Sequence, residues 1–164
     1  TTMGTHKWVE TKIFRDIDAP LKRLKDDNYQ IVAADISGST KDYRDIDYSV
    51  PTALLLGAEK YGISDAAYPY IDQCITVPMM GMVESFNVSV ACAIILAEAR
   101  RQRETLGHYS KRQISDDVFR KTILEWTQPL VARYCQKHNI TYPELDDNGN
   151  IQDLDWRTRG HVLD

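Results

Sequence analysis

An α/β domain with a mostly parallel sheet, followed by a helical extension, is the fold class this sequence predicts. Three observations lead there. Apolar runs of strand character, Tyr29–Ile36, Ala53–Leu56 and Cys74–Val77, alternate with helical stretches. The middles of these runs are near-continuously apolar, which suits strands covered on both faces. Beyond Leu106 the alternation stops and helical patterning takes over. Strands alternating with helices argue for parallel pairing. The expected boundaries are 1–106 for the α/β part and 107–164 for the extension.

Lys7–Phe14 (KWVETKIF) has the β-branched and aromatic content of a strand. Asp16 or Asp18, with Pro20, then signals a helix start. That helix is expected to run to about Asn28, with Leu21 and Leu24 on its apolar face. Tyr29–Ile36 is the next strand and Ser37-Gly38-Ser39-Thr40 its turn. A polar connection with Asp45, Asp47 and Pro51 leads to the strand Ala53–Leu56, closed by Gly57. A short helix over Ser64–Tyr70, the strand Cys74–Val77 and a long helix from Ser85 to Glu104 complete the alternation. Glu84 or Ser85 is the expected cap of the long helix. Ser115 with Asp116 and Asp117 opens an amphipathic helix that Pro129 breaks, and Leu130–Lys137 forms another. Asp147, Asn148 and Gly149 mark a tight turn in the tail.

The 164 residues suffice to bury roughly two-thirds of the unfolded surface, so a real core is expected. No apolar run approaches the ~20 residues of a membrane span. The opening TTMGTHKWVE has neither the basic start nor the apolar stretch of a signal peptide, and a cytoplasmic location is the reading. Three cysteines cannot all pair and none lies in a C-x-x-C arrangement. The four histidines are dispersed, so no metal site is expected. A formal net charge of −4 argues against nucleic-acid binding by overall charge, though not against a local basic patch.

The junction VPMMGMVESFNVSVACA, Val77–Ala93, is where chemistry is expected. Pro78 ends a strand, Gly81 frees the backbone, and a helix N-terminus with unpaired N–H groups faces the loop. Upstream, Gly57-Ala58-Glu59-Lys60-Tyr61-Gly62 also follows a strand, and its glycines let a ligand approach the backbone. A phosphate loop would need Lys and Ser or Thr straight after the second Gly, where Ile63 and Ser64 stand.

Taken together, LLLGAEKYGIS (Leu54–Ser64) and ITVPMMGMVESFNVSVACAI (Ile75–Ile94) resemble the second and third motifs of the SpoU branch of the SPOUT methyltransferases, in order and separation. Weaker similarity extends through GTHKWVE, YQIVAADIS and AEARRQRE. The tail YPELDDNGNIQDLDW is similar to that of the family's tRNA guanosine 2′-O-methyltransferases, which modify guanosine 18 of the D-loop. The resemblance implies a deep trefoil knot, an exception to the rule that chains do not thread loops. It implies a homodimer acting on tRNA, and S-adenosylmethionine as cofactor, held by Ala34, Leu55, Gly57, Val77, Met79, Gly81, Phe86 and Val88. Glu59, Ser85 and Asn87 match the family's polar positions and are the implied catalytic set. Each also has a structural reading: Ser85 as helix cap, Asn87 as a first-turn hydrogen bonder, Glu59 as a solvated charge.

Arg100, Arg101 and Arg103 close the long helix. Contact with RNA phosphates and interaction with the helix C-terminus are both open to them. In the SpoU family an Arg in a first motif is associated with activating the ribose hydroxyl. Arg15, Arg23 and Arg44 do not match it, and the chain looks like the later part of the catalytic domain. The expectation is therefore a parent methyltransferase whose present chain is inactive alone. An rRNA methyltransferase of the same family and a non-catalytic RNA-binding or dimerisation module are the alternatives.

Overall fold

Parallel pairing of short apolar strands organises the protein. The structure, a computed structural model, describes residues 9–36, 38–82, 86–146, 148–152 and 155–159. The chain divides into two compact units, residues 13–111 and residues 1–12 with 112–164.

In the first unit, α1 (Asp18–Asp26) precedes β1 (Gln30–Ala34), β2 (Lys41–Asp42), β3 (Thr52–Leu56), β4 (Gln73–Thr76) and α2 (Val88–Thr105). The four strands form one sheet in the order β2-β4-β1-β3, with every pairing parallel. β1 is interior, and its Ile31, Val32 and Ala33 are fully buried. Side-chain alternation splits the core between the two faces of the sheet. On one face Val32 and Ile75 pack with Ile46, Tyr48, Leu54 and Ile95 of α2. On the other, Ile31, Ala53 and Leu55 pack with Leu21 of α1 and with Ala67.

Local chemistry sets the element ends. The Asp16 carboxylate accepts from the Ala19 N–H at 2.9 Å, holding the start of α1. The helix stops at Asp26, two residues short of the sequence expectation. Asn28 turns into the left-handed region at φ 60°, and the Tyr29 N–H closes back on the Leu24 carbonyl. Asp72 ties the amino end of the sheet: its carboxylate accepts from the Ile31 N–H at 2.7 Å and from Lys25 Nζ at 2.6 Å. Residues 65–70, expected as a short helix, form a 3₁₀ turn.

Two expectations require correction. The described part of the first expected strand, Val9–Phe14, is not a strand. Composition alone does not make one: a strand exists through its ladder, and this segment pairs with none of the four described strands, leaving Ile13 95 % exposed. Conversely, the polar connection contains β2, whose Lys41 and Asp42 pair with Ile75 and Thr76.

The carboxyl half of α2 is fastened to the β2–β3 connection. The Tyr48 N–H donates to Gln102 Oε1 at 2.9 Å, and Gln102 Nε2 donates to the Ile46 carbonyl at 3.0 Å. Arg103 donates to the carbonyls of Tyr48 at 2.8 Å and Val50 at 3.3 Å. Burial beside Tyr43, together with the nearby Glu98 and Asp42 charges, pushes the Tyr48 phenol up to about 12. Arg103→Ala is expected to destabilise the unit by about 1–2 kcal/mol, since hydrogen bonds from a charged donor are lost. Chemical denaturation measures this, and an unchanged midpoint would refute it.

Glu98 gives the fold an acid-sensitive contact. Hydrogen bonds from Arg101 and then from Gln102 lower its carboxyl from 4.5 to about 2. Its stabilisation is therefore complete above pH 4.5 and disappears as pH falls toward 2. Glu98→Gln is expected to flatten the pH dependence of the melting temperature in that window; an identical profile would contradict this.

The second unit contains α3 (Asp116–Thr127), α4 (Pro129–His138) and the single turn α5 (Trp156–Arg159). Ser115 caps α3 by accepting from the Val118 N–H, and Pro129 restarts the chain as α4, as the sequence indicates. Cys135, Ile140 and Trp156 form its small core. Asp146 accepts from the N–H groups of Asn148 and Asn150, both at 2.8 Å, building the tight turn around Gly149. Asp147 of that expected turn lies outside the described residues.

Candidate active site

Parallel strands converge at their carboxyl ends, where the loops that follow them leave a crevice. Here a cleft of about 400 Å³ opens at the ends of β1, β3 and β4 and the start of α2. Ala34, Asp35 and Ile36 come from β1 and its exit; Leu56, Gly57, Ala58, Glu59 and Gly62 follow from β3. Ile75, Thr76 and Val77 come from β4, and Phe86, Asn87, Val88 and Ala91 from the start of α2.

The loop after β3 is shaped by its glycines. Ala58 and Gly62 exchange both backbone hydrogen bonds, at 2.9 and 2.8 Å, and Gly62 sits at φ 66°. A Cβ on Gly57 would lie 2.5 Å from the Gly62 carbonyl carbon, so the loop closes only without one.

Asn87 links this loop to α2. Its Oδ1 accepts from the Ser89 N–H at 2.9 Å, making Asn87 the N-cap of α2. Its Nδ2 donates to Glu59 Oε1 at 2.9 Å. One side chain thus starts the helix and orients a carboxylate in the cleft. This corrects the expected helix start and cap: α2 begins at Val88, and Asn87, able to satisfy the free N–H of the first turn, caps it.

Of the expected site residues, the cleft brings together Ala34, Gly57, Glu59, Val77, Phe86, Asn87 and Val88. Leu55 is turned away, because strand alternation sends Leu54 and Leu56 to the α2 face and Leu55 into the core beside α1. Met79 and Gly81 lie outside the lining: past Pro78 the loop leaves the sheet edge, and Met80 and Met82 are fully exposed. Ser85 lies outside the described residues. Asp35 was not expected. Its carboxylate accepts from the Tyr68 hydroxyl at 2.5 Å, and the signal for it was its place one residue past the end of an interior parallel strand.

The three arginines of α2 differ in their surroundings. Arg101 makes a two-pronged contact with Glu98, at 2.8 and 2.7 Å, and Arg103 is bound to carbonyls as above. Arg100 is 3.9 Å from Glu104, with its side chain 74 % exposed. Among the described residues no group of three or more His, Cys, Asp or Glu is placed to hold a metal ion. No described helix is long and apolar enough to cross a membrane.

Comparison with known proteins fits this geometry. Residues 1–97 match the SpoU rRNA Methylase family, and residues 101–154 match the C-terminal SpoU rRNA methylase family. The chain belongs to the SpoU methylase family. It is 38% identical over 156 residues to the tRNA (guanosine(18)-2′-O)-methyltransferase of Escherichia coli strain K12, covering 93% of this chain and 68% of that protein. The Thermus thermophilus enzyme of the same name is 40% identical over 126 residues, covering 77% of this chain and 65% of its own length. The crystal structure of the A. aeolicus TrmH/SpoU tRNA modifying enzyme superposes with a TM-score of 0.73 at 39% identity, over 79% of this chain and 66% of that one. The chain thus spans about two-thirds of the length of these SpoU relatives.

The cleft suits the cofactor that the SpoU resemblance implies. Its volume falls in the range of small-molecule sites, and its walls are largely apolar, from Leu56, Ile75, Val77, Phe86 and Val88. Backbone at the strand ends, with Gly57 and Gly62, contributes to the lining. The polar side chains are few and oriented.

Proposed function

We propose that the protein carrying this chain transfers a methyl group from S-adenosylmethionine to the ribose 2′-hydroxyl of guanosine 18 in tRNA. The observation that carries this reading is the cleft in which the loops of both SpoU motifs meet, joined through Asn87 and Glu59. It is supported by relatives that bear that activity in their names. Ala34, Gly57, Val77, Phe86 and Val88 hold the cofactor, which when bound supplies a methyl group on a positively charged sulfur. Asn87, and with it Ser85, shapes the cofactor and ribose site, and Glu59 organises it.

Ribose methylation requires the 2′-hydroxyl to shed its proton, a step favoured by a nearby base or cation. The described cleft lining contains no Arg, Lys or His. A cation serving this step would lie outside that set, and the assay uses the protein as encoded. With methyl-labelled cofactor and bulk tRNA, label is expected on the 2′-oxygen of guanosine 18. Label on rRNA instead would favour the ribosomal alternative, and none on either would favour a non-catalytic RNA-binding or dimerisation module.

The same reading includes the trefoil threading of the segment around the cleft and a cytoplasmic homodimer. Support for the dimer comes from the solvent-facing side of α2, where Val90 and Leu96 are exposed, Leu96 by 54 %. Arg100 is the arginine of α2 best placed to meet RNA phosphate. Arg100→Ala is expected to weaken tRNA binding and to lower the slope of log affinity against log salt by about 1, leaving stability unchanged. An unaltered slope in filter binding would remove it from the interface.

A further inference from the structure

We propose that the tip of the loop after β3, Lys60 with Tyr61, is a part of the cleft rim that receives RNA: Tyr61 stacks on a base flanking the methylated nucleotide, and Lys60 meets the adjoining phosphate. This rests on the tRNA reading above and adds to it a contact outside both the cofactor lining and the arginines of α2.

Glu59, Lys60 and Tyr61 form a three-residue turn whose base is closed by the paired hydrogen bonds of Ala58 and Gly62. Ala58, Glu59 and Gly62 line the cleft, while Lys60 and Tyr61, between them, do not. The tip therefore stands at the rim, beside a carboxylate that belongs to the lining. Tyr61 is 79 % exposed, and Lys60 is exposed as well. Lys60 Nζ lies over the Tyr61 ring, 5.3 Å from its centroid. An ammonium over one face of a ring leaves the other face open.

The turn itself does not call for these side chains. Its bend is supplied by Gly62 at φ 66° and by the close approach at Gly57, and Tyr61 belongs to none of the core clusters of the described residues. Singly exposed apolar residues are ordinary. This one carries a cation on its face, at the edge of a cleft, on a turn pinned at its base and through Glu59 to Asn87.

For the 2′-hydroxyl of one nucleotide to enter the cleft, the nucleotides on either side must cross its rim. Unstacked RNA is held by the two groups that the tip offers, an aromatic face for a base and a cation for a phosphate. The described lining contains no Arg, Lys or His, and the formal net charge is −4, so attraction for phosphate at this edge has to be local. Lys60 supplies it next to the lining. A pinned turn presents both groups from a fixed backbone, which lowers the cost of ordering them on contact.

The protein as encoded, with tRNA transcripts and S-adenosylmethionine, tests this. Tyr61→Ala is expected to weaken tRNA binding, and to raise the KM for tRNA, about 5- to 20-fold. Affinity for S-adenosylhomocysteine is expected to stay within about twofold and the melting temperature to hold, as suits an exposed side chain. Tyr61→Phe keeps the ring and is expected to bind tRNA within about twofold of the unaltered protein. Lys60→Gln is expected to lower the slope of log affinity against log salt by about 0.7, the value for one phosphate of a single strand. Transcripts with an abasic nucleotide on one or the other side of the methylated guanosine locate the contact: where the stacked base is missing, Tyr61→Ala should cost nothing further.

A Tyr61→Ala loss that persists in full with both abasic transcripts overturns the proposal, and so does a Phe variant that falls as far as Ala. Parallel loss of S-adenosylhomocysteine affinity would assign Tyr61 to the cofactor loop instead. A changed oligomeric state with unaltered tRNA affinity would make the tip a contact between copies of the chain, which equally overturns it. Should Tyr61→Ala fail to fold, Tyr61→Leu, which keeps apolar bulk without a ring, decides by the same measurements. Methylation of tRNA with an affinity that no variant moves sinks the inference alone. If the unaltered protein neither binds nor methylates tRNA, the functional reading falls and the inference with it.

Discussion

Gly57→Ala is expected to remove the cofactor site and to destabilise the α/β unit by about 2–3 kcal/mol, the upper range for forcing an extra carbon into packed structure. The added Cβ meets the Gly62 carbonyl group at 2.5 Å, and what must move is backbone rather than a flexible side-chain tip. The movement breaks the paired hydrogen bonds between Ala58 and Gly62 and displaces Glu59 from Asn87. A fall of about 4–12 °C in melting temperature follows from the size of the chain. Titration with S-adenosylhomocysteine is expected to show at least a ~10-fold loss of affinity, about 1.4 kcal/mol. A variant that melts and binds like the unaltered chain would show that the loop has another closed form, and this account of the glycine would fail. Gly62→Ala is the informative companion: open space surrounds that position, so its cost arises from the left-handed φ of 66° alone and should be smaller.

The second large effect is expected at Asn87, where stability and chemistry can be separated. Asn87→Ala removes the helix cap and the tether to Glu59 together. Loss of the cap costs about 1 kcal/mol of stability. Loss of the oriented site costs about 2–4 kcal/mol of transition-state stabilisation, on the scale of a deleted active-site donor. Asn87→Ser retains a capping oxygen but cannot reach Glu59 with a donor amide. It is expected to melt near the unaltered protein while losing most of the turnover in the full enzyme. Full activity in the Ser variant would reduce Asn87 to a cap.

The interior of this fold was legible because burial writes itself into sequence. β1 and β3 are runs of Ile, Val, Ala and Leu that satisfy a sheet covered on both faces, β4 centres on Cys74 and the buried Ile75, and each lies within two residues of where the apolar pattern places it. Pro129 and Ser115 were legible for a different reason: each acts locally on its own helix end. What escaped is what depends on a partner distant in sequence. Lys41 and Asp42 have no strand signature and become β2 only because β4 offers them a ladder. Val9–Phe14 has the signature and no such ladder.

The site divides in the same way. Gly57, Glu59, Val77 and Asn87, which line the cleft, were legible as candidates because they sit in motifs with fixed spacing. Leu55 came with the resemblance as part of the second motif; strand alternation, which reverses direction at every residue, packs its side chain into the core beside Leu21. Asp35 was passed over because a lone carboxylate after a strand carries no pattern; its hydrogen bond from Tyr68, which comes from beyond β3, exists only in the fold.

The order β2-β4-β1-β3 has a consequence for the way the chain assembles on emerging from a ribosome. The ladder pairs nearest in sequence are those of β1 with β3, such as Gln30 with Thr52, and Ala33 waits for Cys74. None of these ladders is a hairpin that could zip up behind a turn, so every one costs a long loop closure before it gains a hydrogen bond. β1 is made before its two described neighbours, and stays flanked on one side at most until β4 has been synthesised. At ~5–20 residues per second, its apolar edge stays uncovered for seconds, the interval in which a chaperone rather than the sheet itself must keep Ile31, Val32 and Ala33 from other chains.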